Sequence, residues 1–415
     1  MREVMAKIAI VGAGQAGLHL GIGLLLSGHQ VTMLSNRTGE QIAAGTVISS
    51  QSMYGMALGL ERELGIDYWQ DSAPQYAGAQ MRVADSDGNV MLFWQGAMDE
   101  PGQSIDQRVK MPVWIDRFIE LGGDFRLVDA GIAELEELAG SHDLTVIASG
   151  KGEIGQLFTR NPDRSPFTQP QRVLALTYVN RFRPRPGIPA ICININPGIG
   201  EFVSFPGLTL SGACEIFTIE AVPGGPMDVW DDVKTPEEHL KVSEHLLRTF
   251  FPLEAERIDG HLELTDDKAV LRGRITPTTK YPVATLPSGA QVFGLADVVC
   301  LNDPLTGQGS NNASKGAKIY LDAINARGDA PFDEAWMNAV FEEYWDYARY
   351  PVAYTNQTLG QPPEHMLRIL KTAESDAGLA HLMANSFNDP KSIAPWYYDA
   401  AAAHEFLDGR TPVAA

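Results

Sequence analysis

The sequence predicts an α/β protein: a dinucleotide-binding unit whose parallel sheet is assembled from separated stretches, a β-rich second part, and a helical C-terminal segment. Three observations carry this expectation. The chain opens on a strand, a glycine loop, a helix and a second strand. From about Gln171 to Val222 it is crowded with β-branched and aromatic residues broken by Pro-Gly and Gly turns, the pattern of antiparallel strands. Beyond Asp329 it becomes helical in pattern and rich in aromatics, with Trp336, Trp345, Tyr350 and Tyr354.

Lys7 to Val11, KIAIV, is a short apolar run suited to a parallel strand buried on both faces. GAGQAG follows, then LHLGIGLLLSGHQ with Leu20 and Leu24 at helical spacing, then the apolar VTML of Val31 to Leu34. Together these form a Rossmann-like βαβ unit of about thirty residues. Gly12, Gly14 and Gly17 make GxGxxG around Gln15 and Ala16. The first glycine permits the tight turn, the second lets backbone approach a pyrophosphate, and the third lets helix and strand pack closely. The carboxylate that usually binds ribose after the second strand is replaced by Ser35-Asn36-Arg37. Asn36 can hydrogen-bond a hydroxyl and Arg37 can pair with phosphate or stack on adenine. An ordinary turn with a solvated arginine fits the same residues equally well.

Further strands and helices follow. SIDQRVKMPVWIDRFIELGG, from Ser104, reads as a helix with Val109, Val113, Ile115 and Phe118 apolar, ended by Gly122-Gly123. HDLTVIASGKGEIG, from His142, is an apolar strand running into glycines, and TPEEHLKVSEHLLRTFFP is a helix with a Thr-Pro-Glu-Glu start. In the β-rich stretch, alternation predicts one apolar face of Ile193, Ile195, Phe202, Phe217 and Ile219, most of it core, with Ile193 and Phe217 candidates for a pocket wall. The expected division is 1–60, 104–155 and 286–330 for the nucleotide part, 61–103 and 156–285 for the β-rich substrate part, and 331–415 for the helical segment.

A second glycine-rich run, GLADVVCLNDPLTGQGSNNAS, spans Gly294 to Ser314. It follows the buried strand in GAQVFGLAD and lies where a strand ends and a helix begins. One βαβ unit is not a sheet, so TVIAS and QVFGLAD supply the missing strands and bring this loop to the dinucleotide. A nicotinamide enzyme grips its cofactor with one such turn, whereas a tightly held flavin dinucleotide is gripped at both ends. Asp297 is placed for the ribityl chain or pyrophosphate. The amides of Gly307, Gln308, Gly309 and Asn311 open a helix whose positive end stabilises charge on a flavin edge. Two loops for the two halves of FAD is the expectation.

Composition sets limits. With 415 residues, 44% hydrophobic and 20% charged, the chain reads as a globular protein of more than one domain. A formal charge of −20 argues against nucleic acid or an anionic membrane as partner; it suits a basic partner, but acidity is first a solubility device. Cys192, Cys214 and Cys300 are widely spaced, with no CxxC, and the nine histidines show no metal-ligand spacing, so no metal is expected. No stretch approaches the roughly twenty apolar residues of a membrane span. The start runs directly into a strand, and the expected location is cytoplasmic.

These residues reach a known family. GxGxxG with GLADxxxxxDPLTGQGxNxAS resembles the flavoprotein monooxygenases, and IDQRVKMP, DLTVIASGKG, RNPDRSPFTQPQR and DPLTGQG, in that order, resemble the oxygenase component of two-component styrene and indole monooxygenases along essentially the whole chain. The resemblance implies a discontinuous FAD domain of the flavin hydroxylase type, FAD used as FADH2, O2 as co-substrate, and a separate NAD(P)H:flavin reductase as partner. Self-sufficient flavin hydroxylases carry Asp-Gly after the strand equivalent to DLTVIAS; Gly150-Lys151 stands there, which fits the two-component branch. The implied chemistry is epoxidation of an electron-rich C=C by a C4a-hydroperoxyflavin, with no catalytic base or metal. Styrene-type members carry Asn-x-Val-x-His where this chain has Ser49, Gln51 and Met53, the Ser-x-Gln-x-Met of the indole type. Gln51 would accept an indole N–H, a donor styrene lacks, although Ser at a helix start also suits a cap. By the same resemblance Ser50 is placed near flavin N5, Pro304, Leu305 and Thr306 face the reactive side, and Arg108 contacts flavin. A styrene-type epoxidase, a self-sufficient NAD(P)H-dependent aromatic hydroxylase and a flavin-storing or flavin-sensing protein remain alternatives; a halogenase is disfavoured by the lack of Trp-x-Trp-x-Ile. The oligomeric state stays open, a homodimer included.

Overall fold

The computed structural model describes residues 6–150 and 152–411. The apolar N-terminal run becomes the strand Lys7–Val11, centred in a six-stranded sheet. Its order is Val283–Thr285, Gln291–Gly294, Leu144–Ile147, Lys7–Val11, Gln30–Ser35 and Asp124–Leu127. All neighbours run parallel except the edge hairpin of Val283–Thr285 with Gln291–Gly294. That edge strand joins this sheet although it lies just ahead of the expected start at 286. Ile8, Ile10, Val146 and Phe293 have no exposure, as a parallel sheet covered on both faces requires. The cover includes Gln15–Leu26, Gln107–Glu120 and Gln308–Arg327, whose apolar residues share one core with these strands.

A nine-stranded sheet lies alongside. Its order runs Ile258–Leu264, Val173–Phe182, Gly212–Ala221, Gly200–Thr209, Ala190–Asn196, Gln75–Ala84, Val90–Ser104, Ser52–Met53, with Val270–Arg274 also paired to Val173–Phe182. Most pairs are antiparallel; Gln75–Ala84 and Ala190–Asn196 run parallel. Helix Pro236–Phe250 covers one face around Phe202, Phe217 and Ile219. The C-terminal helices Glu334–Thr358, Glu364–Ala373 and Ala377–Asn385 cover the other, around Ile193, Val203, Tyr76 and Tyr354.

The single apolar face expected of this sheet is corrected by its register. Ile193 stands opposite Val203, whereas Phe202 stands opposite Asn194. Ile193 and Ile195 therefore face the C-terminal helices, while Phe202, Phe217 and Ile219 face Pro236–Phe250. A turn that shifts pairing by one residue exchanges the faces of a whole strand. Among the described residues, no helix is long and apolar enough to cross a membrane and no cluster of side chains could hold a metal ion.

Candidate functional site

Ligands of open parallel sheets bind beyond the carboxyl ends of the strands. Here the segments that follow five strands, Gly12–Ala16, Asn36–Arg37, Val128–Ala130, Ala148–Gly150 and Ala296–Asp297, all line one cavity of about 750 Å³. It continues past Ile48, Ser49 and Ser50 and past Pro304, Gly307, Gly309 and Ser310 to an apolar floor of Leu174, Leu176, Leu271, Ile275 and Leu301. Thr218 and Asn302 are the polar groups of that floor. One end is polar backbone and the other is apolar side chain, as a dinucleotide beside a hydrophobic substrate requires.

The backbone of the first loop leaves no room for side chains. Gly12 sits at φ +118°, and a Cβ there would meet the Ala148 carbonyl carbon at 2.9 Å. A Cβ on Gly17 would stand 1.9 Å from the Gly12 oxygen. Gly14, by contrast, has open space beside it and lines the cavity.

Two long helices start at this cavity. Gln15–Leu26 is N-capped by Gly14 and Gln308–Arg327 by Gly307, and neither has a side-chain cap or an acidic residue in its first turn. Elsewhere Thr38, Asp106, Thr235, Asp333 and Asp399 cap their helices with side-chain oxygens. Uncapped first-turn N–H groups and the positive helix end together suit anionic groups. The residues therefore fit FAD: amides at both ends, glycine where backbone must approach, and a carboxylate between. That carboxylate, Asp297, is exposed to the cavity yet enclosed by protein, and withdrawal from bulk solvent pushes its carboxyl up to about 6. Ala296 just before it is held at φ +57°, a left-handed conformation for a residue with a side chain. Replacing Asp297 with Ala removes an acceptor for a ligand hydroxyl. FAD affinity, read by flavin-fluorescence titration, is expected to fall at least about tenfold, the scale of one hydrogen bond to a charged group.

The loop before the second sheet is pinned through its carbonyls. Tyr178 Oη donates to Ser49 O at 2.8 Å and Ser104 Oγ donates to Ser50 O at 2.5 Å. Between them and the next strand, Gln51 takes φ +50°, is buried, and leaves both Oε1 and Nε2 without a hydrogen-bond partner.

Of the expected site residues, Gly12, Gly14, Gln15, Ala16, Asn36, Arg37, Ser49, Ser50, Asp297, Pro304, Gly307 and Gly309 line the cavity. Gly17 lies behind it, packing the helix onto Gly12. Several expectations are corrected. Arg108 is buried and bound to Asp106 and bidentately to Asp266, so its charge is already matched away from the cavity. Asn311 is a structural latch: its amide donates to Ser52 O at 2.9 Å and accepts from Tyr54 N at 2.9 Å. Gln308 turns inward to Phe387 O. Met53 pairs with Gln103 and packs on Ala57 and Leu58. Ile193 and Leu305 belong to the core under the C-terminal helices, Thr306 Oγ1 is bonded to Thr355 Oγ1, and Phe217 faces the opposite side of its sheet. Gly150 lines the cavity, while Lys151 lies outside the described residues. Sequence reasoning missed Val128–Ala130, although they follow a strand paired in parallel with Gln30–Ser35. It also missed Leu174, Leu176 and Thr218, which share the sheet face of Ile193 and not that of Phe217.

The chain is similar to several known proteins. Residues 150–257 match the family "Styrene monooxygenase A putative substrate binding domain". The chain is 28% identical over 393 residues to styrene monooxygenase StyA of Pseudomonas fluorescens, covering 93% of each, and 28% identical over 394 residues, again 93% of each, to a StyA from a Pseudomonas species. Solved structures share the fold. A flavoprotein/dehydrogenase from Cytophaga hutchinsonii has a TM-score of 0.69 at 12% identity over 97% of this chain and 99% of that one. The flavin-dependent brominase Bmp2 has 0.62 at 14% identity over 98% of both. The p-nitrophenol 4-monooxygenase PnpA from Pseudomonas putida DLL-E4 has 0.58 at 14% identity over 98% of this chain and 97% of that one.

Proposed function

From the premise that this chain belongs to the styrene monooxygenase oxygenase family and is a flavin-dependent monooxygenase, we propose that it epoxidises indole, using FADH2 delivered by a separate NAD(P)H:flavin reductase, and O2. The observation that carries this reading is the continuity of one cavity from the glycine loop to the apolar floor. Bound reduced flavin supplies the oxygen-activating chemistry, by which one oxygen atom of O2 enters the substrate C=C and the other leaves as water. The chain's own task is placement. The helix ends at Gly14 and Gly307 hold the anionic portions, and Asp297 takes a hydroxyl of the cofactor. Leu174, Leu176, Leu271 and Ile275 exclude water and offer a flat aromatic ligand an apolar bed. The proposed division into a discontinuous flavin part, a β-rich substrate part and a helical segment follows from the same reading.

Gln51 follows the cavity-lining Ser50 without itself lining the cavity, and its unpartnered amide supports indole over styrene. A buried amide without partner costs about 1–3 kcal/mol, and a ligand N–H that satisfies its oxygen recovers much of that. Gln51→Leu is expected to lower kcat/KM for indole by roughly 10- to 100-fold, the same energy as a rate ratio, and to leave styrene turnover within about threefold. Equal loss on both substrates would remove Gln51 from substrate choice. Styrene as the natural substrate is the second reading, favoured by the relatives' activity.

The deciding assay supplies chemically reduced FAD to the purified chain under air with indole, and tests NADH separately. Indoxyl or indigo without NADH consumption is the expected result. NADH oxidation by the chain alone would replace this reading with a self-sufficient hydroxylase.

A further inference from the structure

Beside the cavity floor lies a buried charge cluster that no step above uses. Strand register puts Glu201 directly opposite Glu220, and Leu174 of the cavity floor on the other side of Glu220. Like charges directly opposed across a sheet are unfavourable. Arg172 resolves half of the conflict: its Nε and Nη2 reach the two Glu201 oxygens at 2.7 and 2.8 Å, and its Nη1 donates to the carbonyls of Gln171 and Leu359. Among the described residues Glu220 makes no ion pair of its own, and Arg172 acts on it only from its bond to Glu201. It is 1% exposed, and its Oε2 is buried with no donor facing it.

What faces Glu220 instead is another acid. Its carboxyl lies beside that of Asp303, which is also 1% exposed. Two carboxyl groups can bond only through a shared proton. Asp303 Oδ1 already accepts the Leu305 N–H at 3.1 Å, capping the Pro304–Thr306 turn, so the charge belongs on Asp303 and the proton on Glu220. The charged groups facing the pair are Arg172 and Glu201. Burial and the neighbouring carboxylates push Glu220 well above the usual carboxylate range. Asp303 sits between Asn302 and Pro304, both cavity-lining, and just ahead of Gly307, the cap of the helix Gln308–Arg327.

We propose that Glu220 is a positioning residue, a neutral carboxylic acid whose hydrogen bond to Asp303 seats the Asn302–Gly307 loop at the flavin cavity. Its role toward the cofactor rests on the function proposed above; its protonation does not. Glu220 binds its proton more tightly folded than unfolded, so its contribution is full below the ordinary glutamate range and is lost as pH rises through the raised value. Once it ionises, two carboxylates repel each other across the loop.

Infrared difference spectra of flavin-free wild type against Glu220→Gln read the proton directly. A protonated-carboxyl band present in wild type and missing in the variant is expected; no such band in wild type overturns the proposal, whatever flavin does. FAD titration reads the seating. Wild-type affinity is expected to fall about tenfold as pH rises through the raised Glu220 value, the effect of a one-unit difference in its pKa between the seated and unseated loop. Glu220→Gln, whose amide keeps donating with no proton to lose, is expected to hold its low-pH affinity throughout, and Glu220→Ala to bind about tenfold more weakly even at about pH 6. A glutamine variant that follows wild type across pH overturns the seating role. Absence of FAD binding in all three proteins would count against the flavin reading, and the infrared band would then decide the state of Glu220.

Discussion

Gly17→Ala is expected to abolish FAD binding and to destabilise the flavin-free protein by about 3 kcal/mol or more, at the upper end for overpacking a tight contact. The added methyl would stand 1.9 Å from the Gly12 carbonyl oxygen and 3.1 Å from its carbon, and neither is the end of a flexible side chain. Helix Gln15–Leu26 must then lift off the strand Lys7–Val11, carrying the first-turn N–H groups with it. Gly14→Ala separates the two consequences. Nothing lies within 4 Å of its added methyl, which enters only the cavity. Thermal unfolding of the flavin-free Gly14→Ala protein is expected to match wild type while its FAD affinity falls. If Gly17→Ala bound FAD with wild-type affinity, the glycine loop would not be the cofactor's cradle.

Lys110→Met is expected to cost about 3–5 kcal/mol of stability, the range for stranding one member of a buried ion pair. Lys110 Nζ and Glu61 Oε1 are 2.5 Å apart with both side chains 1% exposed, and Lys110 also lies over the Trp114 ring at 4.6 Å. Gln15 Nε2 donates to the same Glu61 oxygen at 2.8 Å and to Ser314 Oγ at 2.9 Å. The network thus ties both cavity-facing helices to the helix Gly55–Glu63. Burial already raises the Glu61 carboxyl, and Lys110 is the main group lowering it. Without Lys110 the acid is held neutral more strongly, and its folded-state contribution is lost as pH rises. The deficit should therefore be smallest in acid and grow toward alkaline pH in denaturant melts. Adding Glu61→Leu to Lys110→Met is expected to recover most of the loss, because no uncompensated charge remains. A double variant as unstable as the single one would assign the cost to packing around Trp114.

Legibility followed distance along the chain. The places of Gly12, Gly14 and Gly17 were readable because each lies within one strand–loop–helix unit, where sequence spacing is spatial spacing. Asp297 and Gly307 were readable because they follow an apolar strand and open a helix. Arg108 misled because one carboxylate that claims it, Asp266, is 158 residues away. Asn311 misled for the same reason, as its partners Ser52 and Tyr54 lie in a short strand and a helix cap more than 250 residues earlier. Phe217 was placed on the wrong face because alternation gives a period without a phase. The phase is set by the turns between strands, where Ile193 meets Val203 and Phe202 meets Asn194. Glu220 carried no local signal at all, since its neighbours come from two other strands and a remote loop.

The order of the six-stranded sheet has a consequence for how the protein is made. Leu144–Ile147 takes Lys7–Val11 on one side early, but its other neighbour, Gln291–Gly294, is translated only after the whole middle of the nine-stranded sheet. A nascent chain that has emerged through Ala221 therefore carries an open strand edge at Val146 and Ile147. It also lacks the helix that closes the cavity. Open edges template pairing with other chains. Yield in a recombinant host is thus expected to rise when chaperones shield that edge until the later segments arrive. Flavin gives no help in that interval, because Gly12 and Ser310 meet across the cavity only after synthesis has passed both.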